Sequence, residues 1–200
     1  MLSAAQQRAE ELGLTNVRFK QIDGESIDVE AGTLDAVLCR WGYMLMADPG
    51  SALRETRRVL KPGGRVALAA WTGPDENAWS SLAARELVAR GLAERPDPEA
   101  PGQFAWADPE RIRAALEDAG FVEDLVVERV GFTLRYPSTA EWWATQRDLS
   151  SSFKETIDGL DPDVRTELEA ELARAAGAFR TGEGDALAIP AATWVASATA

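Results

Sequence analysis

Residues 34–71 read LDAVLCRWGYMLMADPGSALRETRRVLKPGGRVALAAW, and the fold follows from the order of the patterns inside them. Leu34 to Cys39 (LDAVLC) is a nearly continuous apolar run, the composition of a strand covered on both faces. From Pro49 to Leu60 the period changes: Leu53, Thr56 and Leu60 share one helical face, and Arg54, Arg57, Arg58 and Lys61 gather where cations complement the helix's negative end. Pro62-Gly63-Gly64 stops that helix and permits the positive φ that precedes a buried strand. Arg65 to Trp71 (RVALAAW) is that strand. Strand, helix and strand in succession form the unit from which parallel α/β sheets are built.

Upstream, Leu2, Ala5, Ala9 and Leu12 lie on one face of a helix that Gly13 ends. Val17, Phe19 and Ile22 suggest a short strand, followed by an acidic, irregular stretch from Asp23 to Gly32. Downstream, a helix from about Asp75 to Arg90 turns Trp79, Leu82, Ala83 and Leu87 inward, and a Pro-rich loop runs from Glu94 to Pro109. Asp108-Pro109 reads as an N-cap with proline at the first helical position, and Ala119-Gly120 ends that helix. Phe121 to Tyr136 reads as a long strand or a hairpin. Ser138 and Glu141 suggest a capping box for a helix bearing Trp142 and Trp143, which cannot both face one core stripe. A helix from Pro162 to Phe179 aligns Val164, Leu168, Leu172 and Phe179; a turn-rich Thr181–Asp185 and a strand, Ala192–Ala198, follow. No repeat, low-complexity tract or domain boundary interrupts the 200 residues.

Composition removes several chemistries. The 33 acids, 21 bases and absent histidine give a net charge of −12, which repels nucleic-acid phosphates and anionic lipid. Without histidine there is no Ser-His-Asp or Cys-His pair and no His-ligated metal, and Cys39 alone cannot form a disulfide framework. No metal site is expected. The partner expected is a small molecule, with homo-oligomers possible. No apolar run reaches the roughly 20 residues of a membrane span, Met1–Gly13 lacks a signal peptide's pattern, and a cytoplasmic protein is expected.

Four segments together resemble class I S-adenosylmethionine (SAM) dependent methyltransferases, in particular the ubiquinone and menaquinone C-methyltransferase group. They are MLSAAQQRAEELGL (1–14), NVRFKQIDGES (16–26), LDAVLCRWGYMLMADP (34–49) and ALRETRRVLKPGGRVALAAW (52–71). FAWADPERIRAALEDAGF (104–121) and ATWVASA (192–198) extend the resemblance less specifically. It implies a Rossmann-like α/β sheet, mostly parallel with an antiparallel terminal strand, and lacking its first two strands. Residues 1–72 would be a partial cofactor-binding sheet, and 73–200 a substrate or cap part with the last strands, all in one domain. Those two absent strands would sit between the Val17 strand and the Leu34 strand, and they carry the glycine-rich loop and an acidic ribose ligand. A fragment, a start at an internal methionine (Met1), a repacked non-catalytic protein and a site completed by a partner chain each account for the absence.

The resemblance also assigns residues. Ligands in open parallel sheets sit beyond the carboxyl ends of the strands. Asp23 would accept a hydrogen bond from the adenine amino group, with Ile22 and Gly24 flanking the ring, although Asp23 could equally cap a turn. Arg40 and Trp41 would border the methionine part of the cofactor, Arg40 holding a carboxylate and Trp41 facing the sulfonium; a solvated Arg and a core Trp fit the sequence too. Tyr43, Met44 and Met46 could line a substrate wall or pack in the core, and the loop bearing Phe104 and Trp106 could cover a substrate. No side chain is singled out as a catalyst. The implied reaction is in-line attack on the sulfonium methyl, driven by proximity, on a small-molecule or lipid-like acceptor. A non-catalytic interaction scaffold is the first alternative; another nucleotide-binding α/β module, such as a dehydrogenase half, is the second.

Overall fold

The computed structural model describes Leu2–Gly182 and Gly184–Ala200, with nothing assigned to Met1, Glu183 or the side chains of Ser151 and Ser152. The reading of Met1 as an internal start, and the Glu183 position of the expected turn, lie outside the described residues.

The 34–71 stretch folds as its patterns dictate. Strand β1 (Leu34–Arg40) leads through a 3-10 turn, Tyr43–Leu45, into helix α2 (Pro49–Val59), and the chain returns as β2 (Leu60–Trp71), parallel to β1. Asp48 Oδ1 accepts from Ser51 N at 2.8 Å to cap α2, with Pro49 at the first helical position. Lys61-Pro62-Gly63-Gly64 is taken up as an irregularity, because Leu34 pairs with Leu60 but Ala36 with Arg65. Gly63 adopts φ +78°, the left-handed geometry expected there.

The mostly parallel, Rossmann-like sheet expected from the sequence is not what forms. The sheet has four strands in the order β1-β2-β4-β3, and β1–β2 is its one parallel pair among the described residues. The strands β3 (Glu123–Tyr136) and β4 (Leu187–Thr199) join it antiparallel, to each other and to β2. Two segments explain the difference. Val17–Ile22 makes no strand and takes no part in the sheet. Phe121–Tyr136 becomes one long strand rather than a hairpin.

The expectation that β1 is covered on both faces also fails. Val37 and Cys39 are half-buried, whereas Leu38 is 81% exposed. The register sets Leu38, Ala67, Ser197 and Val126 side by side across all four strands, and this row stays open. The opposite alternation, Val66, Leu68 and Ala70 on β2 with Ala196 and Ala198 on β4, is buried. Helix α1 (Leu2–Glu11) buries only Ala9.

The remaining helices follow the caps. Helix α3 (Ala78–Ala89) buries Trp79, Ser81, Ala83 and Leu87, and α4 (Pro109–Asp118) starts on Asp108, whose Oδ1 accepts from Glu110 N at 2.9 Å. In α5 (Thr139–Leu149) Ser138 Oγ accepts from Glu141 N. Trp142 is fully buried, while Trp143 is half-buried and donates to Glu169 Oε1 at 3.1 Å, which settles how the two rings divide. The short α6 (Ser151–Asp158) has no counterpart in the sequence reading, and α7 (Pro162–Ala176) ends in a 3-10 turn, Gly177–Phe179. Strand β4 begins five residues earlier than Ala192 and contains Pro190. Proline is tolerated there because β2 pairs only with Thr193–Thr199, so at Pro190 the strand has β3 alone as neighbour. Among the described residues no helix is long and apolar enough to cross a membrane.

Candidate functional site

At the carboxyl end of β1 the backbone makes its sharpest departure. Trp41 N still donates to Ala69 O at 2.9 Å, continuing the parallel ladder, but Trp41 itself adopts φ +57°. A bulky non-glycine residue in the left-handed region is strained, and such strain collects at functional positions. Gly42 follows because nothing larger fits: an added Cβ would lie 2.6 Å from Cys39 Sγ. That turn aims the indole of Trp41 along the sheet rather than into solvent.

Trp41 stacks on Trp71, at the matching end of β2, with ring centroids 4.3 Å apart and planes inclined by 12°. Trp71 in turn meets Trp79 at 5.0 Å and Phe132 at 6.0 Å. The guanidinium carbon of Arg40 sits over the Trp41 ring, 4.7 Å from its centroid. Trp41 Nε1 donates to Thr193 Oγ1 at 3.1 Å, tying the ring to β4. The indole thus holds an aromatic ring and a cation against it, the two contacts its π-face favours.

Asp23 lies in a turn closed by Ser26 N donating to Asp23 O at 3.2 Å, and its Oδ1 accepts from Glu25 N at 2.9 Å. The turn-capping role therefore exists, and it uses one carboxylate oxygen; the other has no protein partner among the described residues. The turn is held against the loop after β1. Glu25 Oε1 accepts from Asp48 N at 2.9 Å, Glu55 Oε2 from Ile27 N at 2.9 Å, and Arg58 donates to Ile27 O and Val29 O at 2.7 and 3.0 Å. Gly24 abuts Met46, whose methyl carbon would lie 2.8 Å from an added Cβ. Ile22 is exposed beside it.

The other candidates face inward. Tyr43, Met44 and Trp106 are 4%, 4% and 2% exposed, and Tyr43 and Trp106 stack at 6.0 Å. Thr56 Oγ1 donates to Ala52 O at 2.8 Å, so in the 2.6 Å bond between the hydroxyls it is Tyr43 that donates. Burial pushes the Tyr43 phenol up to about 12. A buried, committed proton makes it a poor base. Trp106 pins the Pro-rich loop, and Gly102 N donates to Met44 O at 2.9 Å.

Sequence reading passed over three positions. Trp71 and Trp79 looked like core residues, and their stacking became visible only with the strand register. Asn77 follows a Gly-Pro-Asp-Glu run and has the position of a helix cap, yet its side chain braces β4. It donates to Thr72 Oγ1 at 2.9 Å and Ala192 O at 3.1 Å, and accepts from Trp79 Nε1 and Ala192 N at 3.2 Å each.

Comparisons with known proteins bear on the family of the chain rather than on these residues. The family model described as a methyltransferase domain matches residues 1–68. The demethylmenaquinone methyltransferase of Thermus thermophilus is 34% identical over 136 residues, covering 60% of this chain and 59% of the relative, so the chain spans less than two thirds of that protein's length. The YcgJ protein of Bacillus subtilis superposes with a TM-score of 0.57 at 18% identity, covering 100% of this chain and 77% of that one. The [4+2]-cyclase SpnF superposes at 0.54 with 20% identity, covering 98% and 61%. Over this part of its length the chain is similar to SAM-dependent methyltransferases, the menaquinone-type C-methyltransferases among them, and the cofactor of such enzymes is SAM. The likeness to a cyclase is a reminder that the fold alone does not choose the reaction.

Proposed function

We propose that this chain carries the adenine-side turn and the acceptor-side strand end of a SAM-dependent methyltransferase acting on a small, quinone-like or lipid-like molecule. The observation that carries the reading is the strained Trp41 at the carboxyl end of β1, stacked on Trp71 and with the Arg40 guanidinium over its ring. The residues present suit two ends of the cofactor. The free carboxylate oxygen of Asp23 can accept from an amino group while Ile22 and Gly24 flank its ring, and Trp41 with Arg40 can border the sulfonium and the carboxylate. When bound, the cofactor supplies an electrophilic methyl group that the acceptor attacks in line. This chain's part is to align and to exclude water, which is where most of the rate arises in such a transfer. The menaquinone-type relative supports a flat, neutral acceptor, and the net charge of −12 opposes a nucleic acid.

Titration calorimetry with S-adenosylhomocysteine tests the reading. Binding by the parent chain and a loss of about 1–3 kcal/mol in Asp23→Ala are expected, the cost of one polar contact with its partner left unmet. An unchanged affinity would remove Asp23 from the site, and no binding by the parent would sink the cofactor role of this chain. The interaction-scaffold alternative draws its support from the open Leu38 row, and it predicts association between copies with no response to the nucleoside.

A further inference from the structure

Asp23 stands after a segment that forms no strand, so the sheet does not fix it. Burial does little either: Ile22 and Asp23 are exposed, and Gly24, Glu25, Ile27 and Val29 are only half-buried. A chain so lightly covered loses its order unless something else holds it. Helix α2 holds it. Residues 25–33 run alongside that helix in the same direction and are tied to it from its cap to its last turn. Glu25 meets the cap residue Asp48, Ile27 and Val29 meet Glu55 and Arg58, and Gly32 N and Thr33 N donate to Arg58 O and Val59 O at 3.0 and 2.9 Å.

Arg58 is the centre of these ties. Its Nε and Nη2 donate to the Glu55 carboxylate at 2.7 and 2.8 Å, while Nη2 and Nη1 also reach Ile27 O and Val29 O, so four of the five guanidinium N–H groups are spent within the chain. Glu55 Oε2 receives Ile27 N as well, and the pair thus grips Ile27 by both its N–H and its C=O. The helix that carries the pair is anchored by Ala52, Leu53, Thr56 and Val59, all buried. It also meets the loop after β1, through its Asp48 cap, and in that loop Met46 lies against Gly24. One packed element therefore sets where Asp23 stands relative to Trp41.

We propose that Glu55 and Arg58 are positioning residues for the nucleoside, an inference that rests on the cofactor reading of Asp23. They hold the 23–29 turn so that the free oxygen of Asp23 meets the purine 6-amino group, and the order that binding would otherwise have to impose is already in place.

The test titrates S-adenosylhomocysteine and its 6-oxo counterpart, S-inosylhomocysteine, calorimetrically into the full chain, with amide exchange followed on the same samples. The parent prefers the amino compound by about tenfold, since the oxo group brings an acceptor where Asp23 needs a donor. Arg58→Ala weakens the amino compound about tenfold and leaves the oxo compound nearly unchanged, so the two come level, and the amides of Ser26 and Ile27 exchange faster. Adding Asp23→Ala to Arg58→Ala then costs less than about twofold more, because a carboxylate already out of place has little left to lose. Glu25→Ala cuts the tie at the other end of α2 and leaves the Glu55–Arg58 pair whole. It shifts the preference the same way, and it decides the matter if Arg58→Ala does not fold. An unchanged preference in every folded variant, or a full tenfold further loss on adding Asp23→Ala, overturns the proposal, for Arg58 would then serve the fold alone. A parent that binds neither compound, or both equally, overturns the cofactor reading of Asp23 and the positioning with it. A preference lost in Asp23→Ala but kept in Arg58→Ala and Glu25→Ala sinks the positioning alone.

Discussion

Trp41 combines two opposing terms. Its left-handed backbone costs roughly 1–2 kcal/mol for an L-residue, and its stacking on Trp71 returns about 0.5–1.5 kcal/mol beyond burial. Removing the ring while keeping a Cβ therefore leaves strain with nothing to offset it. Trp41→Gly should be more stable than Trp41→Ala by about 1 kcal/mol in chemical denaturation, the reverse of the usual order for these two residues. Equal stabilities would mean that the φ of +57° is not strained in this turn. Tyr43 gives a second test. Its phenol is pushed from near 10 in the unfolded chain to about 12 in the native one, mainly by burial. Its contribution is complete below pH 10 and is lost as the pH rises through 12, because above 10 the unfolded chain has released a proton that the native state retains. Stability should fall by on the order of 2 kcal/mol across that interval. Tyr43→Phe should flatten the fall, leaving the smaller part due to Tyr136, also raised by burial, and should cost about 1 kcal/mol at neutral pH through the lost bond to Thr56.

Among the elements, the joint between α3 and β4 depends most on one side chain. Asn77 is fully buried and bonds to both, so Asn77→Ala strands the Ala192 amide and Trp79 Nε1 together, while the Ala192 carbonyl keeps Thr72 N and Oγ1 as donors. A loss of about 2–4 kcal/mol in urea denaturation is expected; a loss below about 1 kcal/mol would mean that Ala192 finds other partners. No local pattern announces this, because the partners lie 115 residues apart in sequence. The same limit explains what was legible overall. Asp108, Ser138 and Gly63 act within a few residues of themselves, and each stands where its pattern put it. The β1–α2–β2 unit was legible for the same reason. The antiparallel entry of β3 and β4 was not, since strand direction is decided by long-range pairing. Within the candidate site, Trp41 could be singled out by its place after β1, whereas Asp23 was singled out as the end of a strand that does not form. The clamp from Glu55 and Arg58 onto Ile27, and the Trp41–Trp71–Trp79 chain, arise from packing between segments and leave no periodicity behind.

For the whole molecule the open row across the sheet and the charge pull in opposite directions. Leu38, Val126, Val130 and Val195 remain 81%, 44%, 44% and 37% exposed, and β1 has a free edge beside them. Such surfaces drive association. A net charge of −12 holds copies apart. Raising salt from about 0.01 to about 1 M shortens the screening length from about 30 to about 3 Å. Sedimentation should then show heavier species at high salt, and Leu38→Lys should return the chain to monomer without lowering its melting temperature. A monomer under both conditions would mean that the row is too small to hold a second copy. The sheet has one more property with consequences beyond stability. Tyr136, the last residue of β3, pairs with Leu187, the first of β4, so everything between them departs from one point on the sheet and returns to it. Helices α5 to α7 thus form one excursion that leaves and re-enters the sheet at adjacent residues yet packs back on α3, where Trp142 covers Trp79, so any replacement spliced in at those two residues has to bring its own cover for that part of the core.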